Sequence, residues 1–330
     1  MSVNDSYAHA SDTLFTTAIA IYTLAMVSYT AEYAFGRRGR VAATSSARVL
    51  AGVGGPSVTE TPPPVPAPTQ PSATAGRFGR IALALTVLGA AVHLGSVALR
   101  GFAVDRVPWG NMYEFSTAAG LVAVLAFLAV LWKAPQIRHL GGFVLVPVVV
   151  VMFLAGTVLY AKASPLVPAL QSYWLAIHVS LAASSEGILM TSAVLTMLFL
   201  VRQRRDRVLA AGGQLGFATR LAERLPAPAT LDRVAYRAVA FAFPLYTVGI
   251  ICGAIWAEAA WGRYWGWDPK ETWAFIAWVI YAAYLHARAT AGWRGRAAAW
   301  INLAGFGAMT FNFFVVNIVI SGLHSYAGLN

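Results

Sequence analysis

Six histidines, eleven tryptophans and a single cysteine hold most of the chemistry open to this 330-residue chain. Imidazole is a ready ligand for iron, copper or zinc, and indole is a broad apolar plane with one hydrogen-bond donor. Six of the tryptophans, Trp256, Trp261, Trp265, Trp267, Trp273 and Trp278, fall within 23 residues. An aromatic belt at a membrane surface places about one or two such rings at each helix end. Here they crowd one segment beside Gly262 and Gly266, where the backbone can lie close to a flat object. The segment reads as a stacking surface for a large planar ligand, with a belt as the plainer alternative.

Two histidines flank that segment in the chain. His178 lies in the first turn of a predicted span, and His324 follows the end of the last one. A solitary interfacial histidine is more often a polar tip than a ligand. Two imidazoles at the interface that carries the aromatic platform can instead hold a haem iron axially. His286, near the end of another span, is either a helix-end side chain reaching for the headgroups or a further ligand. His93 and Glu186 sit within apolar stretches, a costly placement that turns ionisable groups toward the bundle interior; the plain reading of Glu186 is a packed hydrogen-bonding partner. His9 and His139 read as solvated loop residues. With Cys252 alone, the chain can build no internal disulfide, CxxC pair or thiolate metal cluster.

Asp268, Pro269 and Glu271 have the spacing of a capping box with proline at the first helical position, so the tryptophan segment is expected to end where a helix begins. Lys270 or Arg263 could then pair with acidic substituents of the ligand.

The elements that must position these residues follow from composition. The chain is 58% hydrophobic and 11% charged, with mean hydropathy +0.62. Soluble domains carry roughly a quarter charged residues, so a water-soluble globule is excluded. Eight stretches are long enough to cross the bilayer as helices: Leu14 to Phe35, Ile81 to Leu99, Tyr113 to Trp132, Gly141 to Leu159, Leu175 to Val201, Ala238 to Trp256, Glu271 to Ala287 and Ala297 to Ser321. Only Asp5 and Asp12 carry charge before the first, so a cleavable signal peptide is not expected and the N-terminus is assigned outside. On that assignment 19 of the 24 Lys and Arg residues fall on the inner side. This is the asymmetry of the positive-inside rule, and it accounts for the net charge of +11 without nucleic acid. Residues 36–80 hold seven prolines between Pro56 and Pro71 and read as a disordered Pro/Ala-rich cytoplasmic linker. The basic loop from Arg202 to Arg237 is read as a surface helix on the anionic leaflet.

The run from Trp261 to Trp273, WGRYWGWDPKETW, resembles the WWD signature of haem-handling proteins. The whole arrangement is similar to the CcsA/ResC branch, called CcsB in some bacteria, of cytochrome c biogenesis system II. Supporting pieces are Asn111-Met112-Tyr113-Glu114, Ile177-His178-Val179, Tyr284-Leu285-His286-Ala287-Arg288 and Gly322-Leu323-His324-Ser325-Tyr326-Ala327, within residues 81–330. The resemblance implies an all-α polytopic membrane protein of the bacterial plasma membrane. Its parts would be an N-terminal transmembrane helix (1–35), the linker, and a haem-handling domain (81–330) of a bundle of about eight helices, with an extracytoplasmic WWD loop over 256–273. It implies haem b held outside by His178 and His324, with Trp256, Trp261, Trp265, Trp267, Asp268 and Trp273 setting the ring plane. His286 would accept haem on its way outward. It also implies a ResB-like membrane partner, a thiol-reducing protein in the pathway, and an apocytochrome c whose CxxCH thiols take the haem, making the chain a component of a holocytochrome c synthase. Two competitors are a haem exporter or chaperone without ligation activity, and an unrelated ion-coupled transporter. The second is weakened because the distinctive residues crowd one face rather than mid-membrane broken helices.

Overall fold

In hydrocarbon, backbone N–H and C=O groups must pair within their own segment, which for about 20 apolar residues means helix. The computed structural model describes residues 3–51, 73–216, 222–290 and 293–324, with no strand among the described residues. Its helices are α1 (Asp5–Ala51), α2 (Ala73–Val104), α3 (Met112–Lys133), α4 (Gly141–Thr157), α5 (Tyr173–Ala210), α6 (Pro228–Trp261), α7 (Pro269–Ala289) and α8 (Arg296–Val319). Seven of them are long and apolar enough to cross a membrane. The eighth, α7, has 21 residues, but its ends carry Lys270, Glu271, His286 and Arg288. At 1.5 Å per residue it still spans roughly 31 Å. Leu24, Phe153, Phe241 and Trp300 stand more than half exposed around the bundle, a surface suited to lipid rather than water. The fold is an all-α polytopic membrane protein.

Of the linker expected over 36–80, residues 52–72 lie outside the described residues, as do Ser325, Tyr326 and Ala327 of the last motif. The flanks of that linker are helical, since α1 runs to Ala51 and α2 starts at Ala73. The basic stretch expected as a surface helix includes residues 217–221, which lie outside the described residues; in its described part Arg202 to Ala210 continue α5, and Arg202 Nη1 donates to the Ala222 (2.9 Å) and Leu225 (3.1 Å) carbonyls.

Two four-helix halves pack side by side. Phe15, Tyr22 and Tyr29 of α1 meet Tyr113 of α3 and Val148 and Met152 of α4 in one core. Leu189 of α5, Tyr246 of α6, Tyr281 and Tyr284 of α7 and Met309 of α8 form the other. The halves join where α3 crosses α5. There a Cβ on Gly187 would sit 2.5 Å from the Ala119 carbonyl oxygen, so only glycine permits the approach.

Sequential helices alternate in direction and sort the charges to two ends. One end holds Arg138 on Glu32 (3.0 Å) and Arg288 on Asp232 (2.7 Å). At the other, the tryptophan end, Glu114 is buried and accepts from Arg100 Nε (3.1 Å), Arg106 Nη1 (2.9 Å) and the Gly110 N–H (2.7 Å). Arg100 also reaches Asp12 (3.6 Å) and the Ala161 carbonyl, so this one carboxylate ties together α1, α2, α3 and the segment after α4. Removing one member of a buried ion cluster leaves its partner uncompensated, at a cost of about 3–5 kcal/mol. Glu114→Gln is therefore expected to lower the thermal midpoint in detergent by several degrees, with Lys133→Gln, at an exposed helix end, as an unchanged control. Equal midpoints for the two variants would contradict the anchoring role of Glu114.

Candidate functional site

The start of α7 sets the geometry of the tryptophan end. Asp268 caps it, accepting from the Lys270 N–H (3.1 Å), while Glu271 Oε2 accepts from the Asp268 N–H (3.1 Å), completing the capping box. Glu271 also takes the Gly266 N–H (2.9 Å) and faces Arg263 at 3.6 Å. The loop between α6 and α7 is thus folded on its own carboxylates, and Arg263 is spent inside it. Gly262, at φ 70°, closes α6 in the left-handed conformation that favours glycine.

Asp268 does more than cap. Its Oδ2 accepts the Leu323 N–H (2.7 Å), and its Oδ1 accepts from His324 Nδ1 (2.9 Å), so the strand of chain beyond α8 is pinned onto the start of α7. Burial raises the Asp268 carboxyl, but the bonds from His324 and Leu323 overcome it and bring it down to about 2. His324 is lowered by burial, with the bond to Asp268 opposing. A carboxylate facing a neutral imidazole accepts only, so the hydrogen sits on Nδ1 and Nε2 carries the lone pair.

His178, in the second turn of α5, has the same arrangement by different means. Its Nδ1 lies 2.7 Å from the Gly249 carbonyl oxygen of α6, again an acceptor only, which leaves the lone pair on Nε2. Gly253, one turn further along α6, makes room for the ring: a Cβ there would meet His178 Nδ1 and Cε1 at 2.7 Å. Both histidines pack against Trp256, which is 2% exposed. The His178 ring lies nearly parallel to it (6.3 Å, 12°), and His324 stands edge-on (5.8 Å, 61°). Trp256 Nε1 donates to the Ala169 carbonyl (3.0 Å), which fixes the indole.

His178 and His324 line one cavity, with about 200 Å³ of room for the centres of water molecules. Trp109, Trp256 and Trp265 form part of its wall, and Glu186, Lys270, Asn312 and Asn317 supply polar groups. The tryptophans expected to act together are divided. Trp261 packs on Trp256 (4.8 Å) and His324 (4.9 Å). Trp267 is 64% exposed, at φ 58°, and stands perpendicular to Trp265 and Phe275. Trp273 packs at a tilt on Phe311 of α8 (4.1 Å), away from the cavity wall. His286 is exposed near the far end of α7, seventeen residues and roughly 25 Å of helix from Pro269, so it does not join the pair. His93 is buried in the other half beside Tyr22 (3.3 Å), and His139 is half-buried rather than solvated.

Several lining residues escaped the sequence reading. Gly249 and Gly253 form a small-xxx-small pair, a readable signal for close helix approach. Asn312 and Asn317 are five apart, which on a regular helix separates them by well over a right angle. A π-helical turn over Asn312–Val316 brings both to the cavity, and spacing rules for an α-helix hide that.

Comparison with known proteins gives a consistent result. Residues 109–324 match the model of a family described as Cytochrome C assembly protein. A "Cytochrome c biogenesis protein CcsA" of Pyropia yezoensis is 35% identical, covering 77% of this chain and 89% of the relative. Its counterpart in Synechococcus elongatus is 36% identical, covering 76% and 87%. Among solved structures, "Cytochrome c Heme Lyase CcmF" superimposes with a TM-score of 0.60 at 18% identity. That likeness covers 95% of this chain and 47% of the other, and it concerns the fold alone.

The Asp268 bonds carry a testable consequence. Asp268→Ala removes a cap and the two Asp268 bonds to the segment beyond α8, about 1–2 kcal/mol for the cap alone. Chymotrypsin is expected to cleave after Leu323 several-fold faster in the variant than in the parent chain, and unchanged cleavage would contradict the pinning.

Proposed function

The chain belongs to the cytochrome c assembly protein family, with the CcsA cytochrome c biogenesis proteins, and from that membership we propose how its cavity serves cytochrome c maturation. Haem b is the substrate carried and presented. It is held by Nε2 of His178 and Nε2 of His324, with Trp256, Trp261 and Trp265 beside it. The single observation that supports this most is the matched pair of imidazoles lining one cavity, each with Nδ1 held by a fixed acceptor, so that in the neutral ring the lone pair is on Nε2. Such a bond to the remote nitrogen orients the ring and raises its basicity as a ligand. Trp267 and Trp273 act by shaping the loop and the start of α7, not by touching the ring.

The tryptophan end faces the extracytoplasmic side, and the arginine-rich end lies in the cytoplasm. His286, exposed near the latter, receives haem where a ResB-like membrane protein supplies the second ligand. At the outer site the two thiols of a CxxCH segment add across the haem vinyl groups, and the substrate histidine replaces one of the two imidazoles. A thiol-reducing protein keeps those cysteines reduced. The chain's own contribution is positioning, which brings thiol and vinyl together without a nucleophile or acid–base pair of its own. Family membership leaves an unrelated ion-coupled transporter without support; export of haem without ligation differs only in the product.

Covalent attachment separates the two. Membranes containing the chain, its ResB-like partner and a CxxCH substrate are expected to yield covalent haem in the substrate. His178→Ala or His324→Ala is expected to reduce the yield at least about tenfold, the loss of one oriented ligand. Gly253→Ala, which pushes on the His178 ring, is expected to give a smaller loss. Haem delivered to the substrate without a covalent bond would support the exporter instead, and undiminished yield in both histidine variants would overturn the site.

A further inference from the structure

Lys270 is the one lysine that reaches the cavity, and its surroundings are unusual for a buried ammonium. Its Nζ donates to Asn317 Oδ1 (2.6 Å), and among the described residues no carboxylate lies within 4 Å of it. Two carboxylates also line the cavity. Glu271 is already engaged by Arg263 and the Gly266 and Asp268 N–H groups, and Glu186, on α5, lies beyond ion-pair reach of Lys270. A charge withdrawn from water needs a close counter-charge or a dense set of hydrogen bonds, and Lys270 has one amide oxygen in contact, with Glu186 and Asp268 acting on it only from beyond ion-pair distance.

The neighbouring amides are fixed by bonds to backbone carbonyls. Asn312 donates to the Lys270 carbonyl (3.3 Å), Asn317 donates to the Phe313 carbonyl (2.6 Å), and both asparagines face the cavity through the π turn of α8. Two N–H bonds of the Lys270 ammonium are left for a ligand. Arg263, the other cation weighed for this task, is held by Glu271 and is absent from the cavity wall. The ammonium is held against the last turn of α8 by Asn317, whereas His324 lies on the chain beyond that helix. Lys270 lines the same cavity as the two imidazoles.

We propose that Lys270, steadied by Asn317, binds a propionate of the porphyrin and so selects which edge of the ring faces inward. This rests on the haem reading of the cavity given above. A haem carries its two carboxylate arms on one edge and its two vinyl groups toward the opposite one. Docking the acid edge on Lys270 turns the vinyl edge outward, past Tyr264 and Trp265, to where the thiols of a substrate arrive. Lys270 is then a positioning residue. It makes no bond to the iron and takes no part in the addition, but it decides which ring orientation meets the thiols.

The test uses the purified full chain in detergent and two probes, iron protoporphyrin as the diacid and as its dimethyl ester, each titrated against the bis-imidazole absorbance. The parent chain is expected to bind the diacid at least about tenfold more tightly, the scale of one charge-assisted hydrogen bond. Lys270→Met is expected to bring the two affinities together, and Lys270→Arg to keep a preference for the diacid. Equal affinities in the parent chain would overturn the proposal, as would an unchanged ratio in Lys270→Met. If neither porphyrin gives a spectrum that depends on His178 and His324, the haem site itself is wrong and this inference falls with it.

Discussion

A single carboxylate, that of Asp268, fixes three things at once. It caps α7, it receives the N–H of Leu323, and it orients the ring of His324. Without it the last stretch of chain loses two hydrogen bonds to the start of α7, and α7 loses the bond that sets its angle to the tryptophan loop. Held down to about 2, the group stays charged far into acid. Its contribution to stability is complete above the ordinary carboxylate range and is lost only as pH falls through about 2. Helix geometry and ligand geometry thus share one interaction, which is why the capping signal and the candidate ligand occur together.

The same economy of charge runs through the tryptophan end. Glu114 gathers two arginines and an N–H where α2 and α3 meet, and Glu271 gathers Arg263 and two N–H groups in the loop. These clusters pair their charges internally. Lys270 stands apart from them because it faces the cavity with one amide partner. In a region with little water such a group is set for a ligand of opposite charge, and a dicarboxylate porphyrin is one.

Much of this was legible in the sequence, for reasons that differ by residue. The spans could be read because hydrocarbon admits only internally bonded backbone, although α5 and α6 extend beyond the apolar stretches, to Ala210 and from Pro228. The capping box could be read because Asp268 and Glu271 act through local spacing. His178 and His324 could be placed at one end because alternating spans put them there. What could not be read was the division of the tryptophans. Trp267 and Trp273 differ from Trp256 through a left-handed backbone angle and a contact with Phe311, both of which depend on distant packing. Nor could the joint placement of Asn312 and Asn317 be foreseen, since a π turn breaks the α-helical period.

Iron coordination tests the account most directly. The full chain loaded with ferric haem is expected to give the low-spin electron paramagnetic resonance of two axial imidazoles. His178→Gly and His324→Gly should each convert it to high spin, with low spin restored by added imidazole. A low-spin signal that survives in the double variant without imidazole would show that other residues hold the iron.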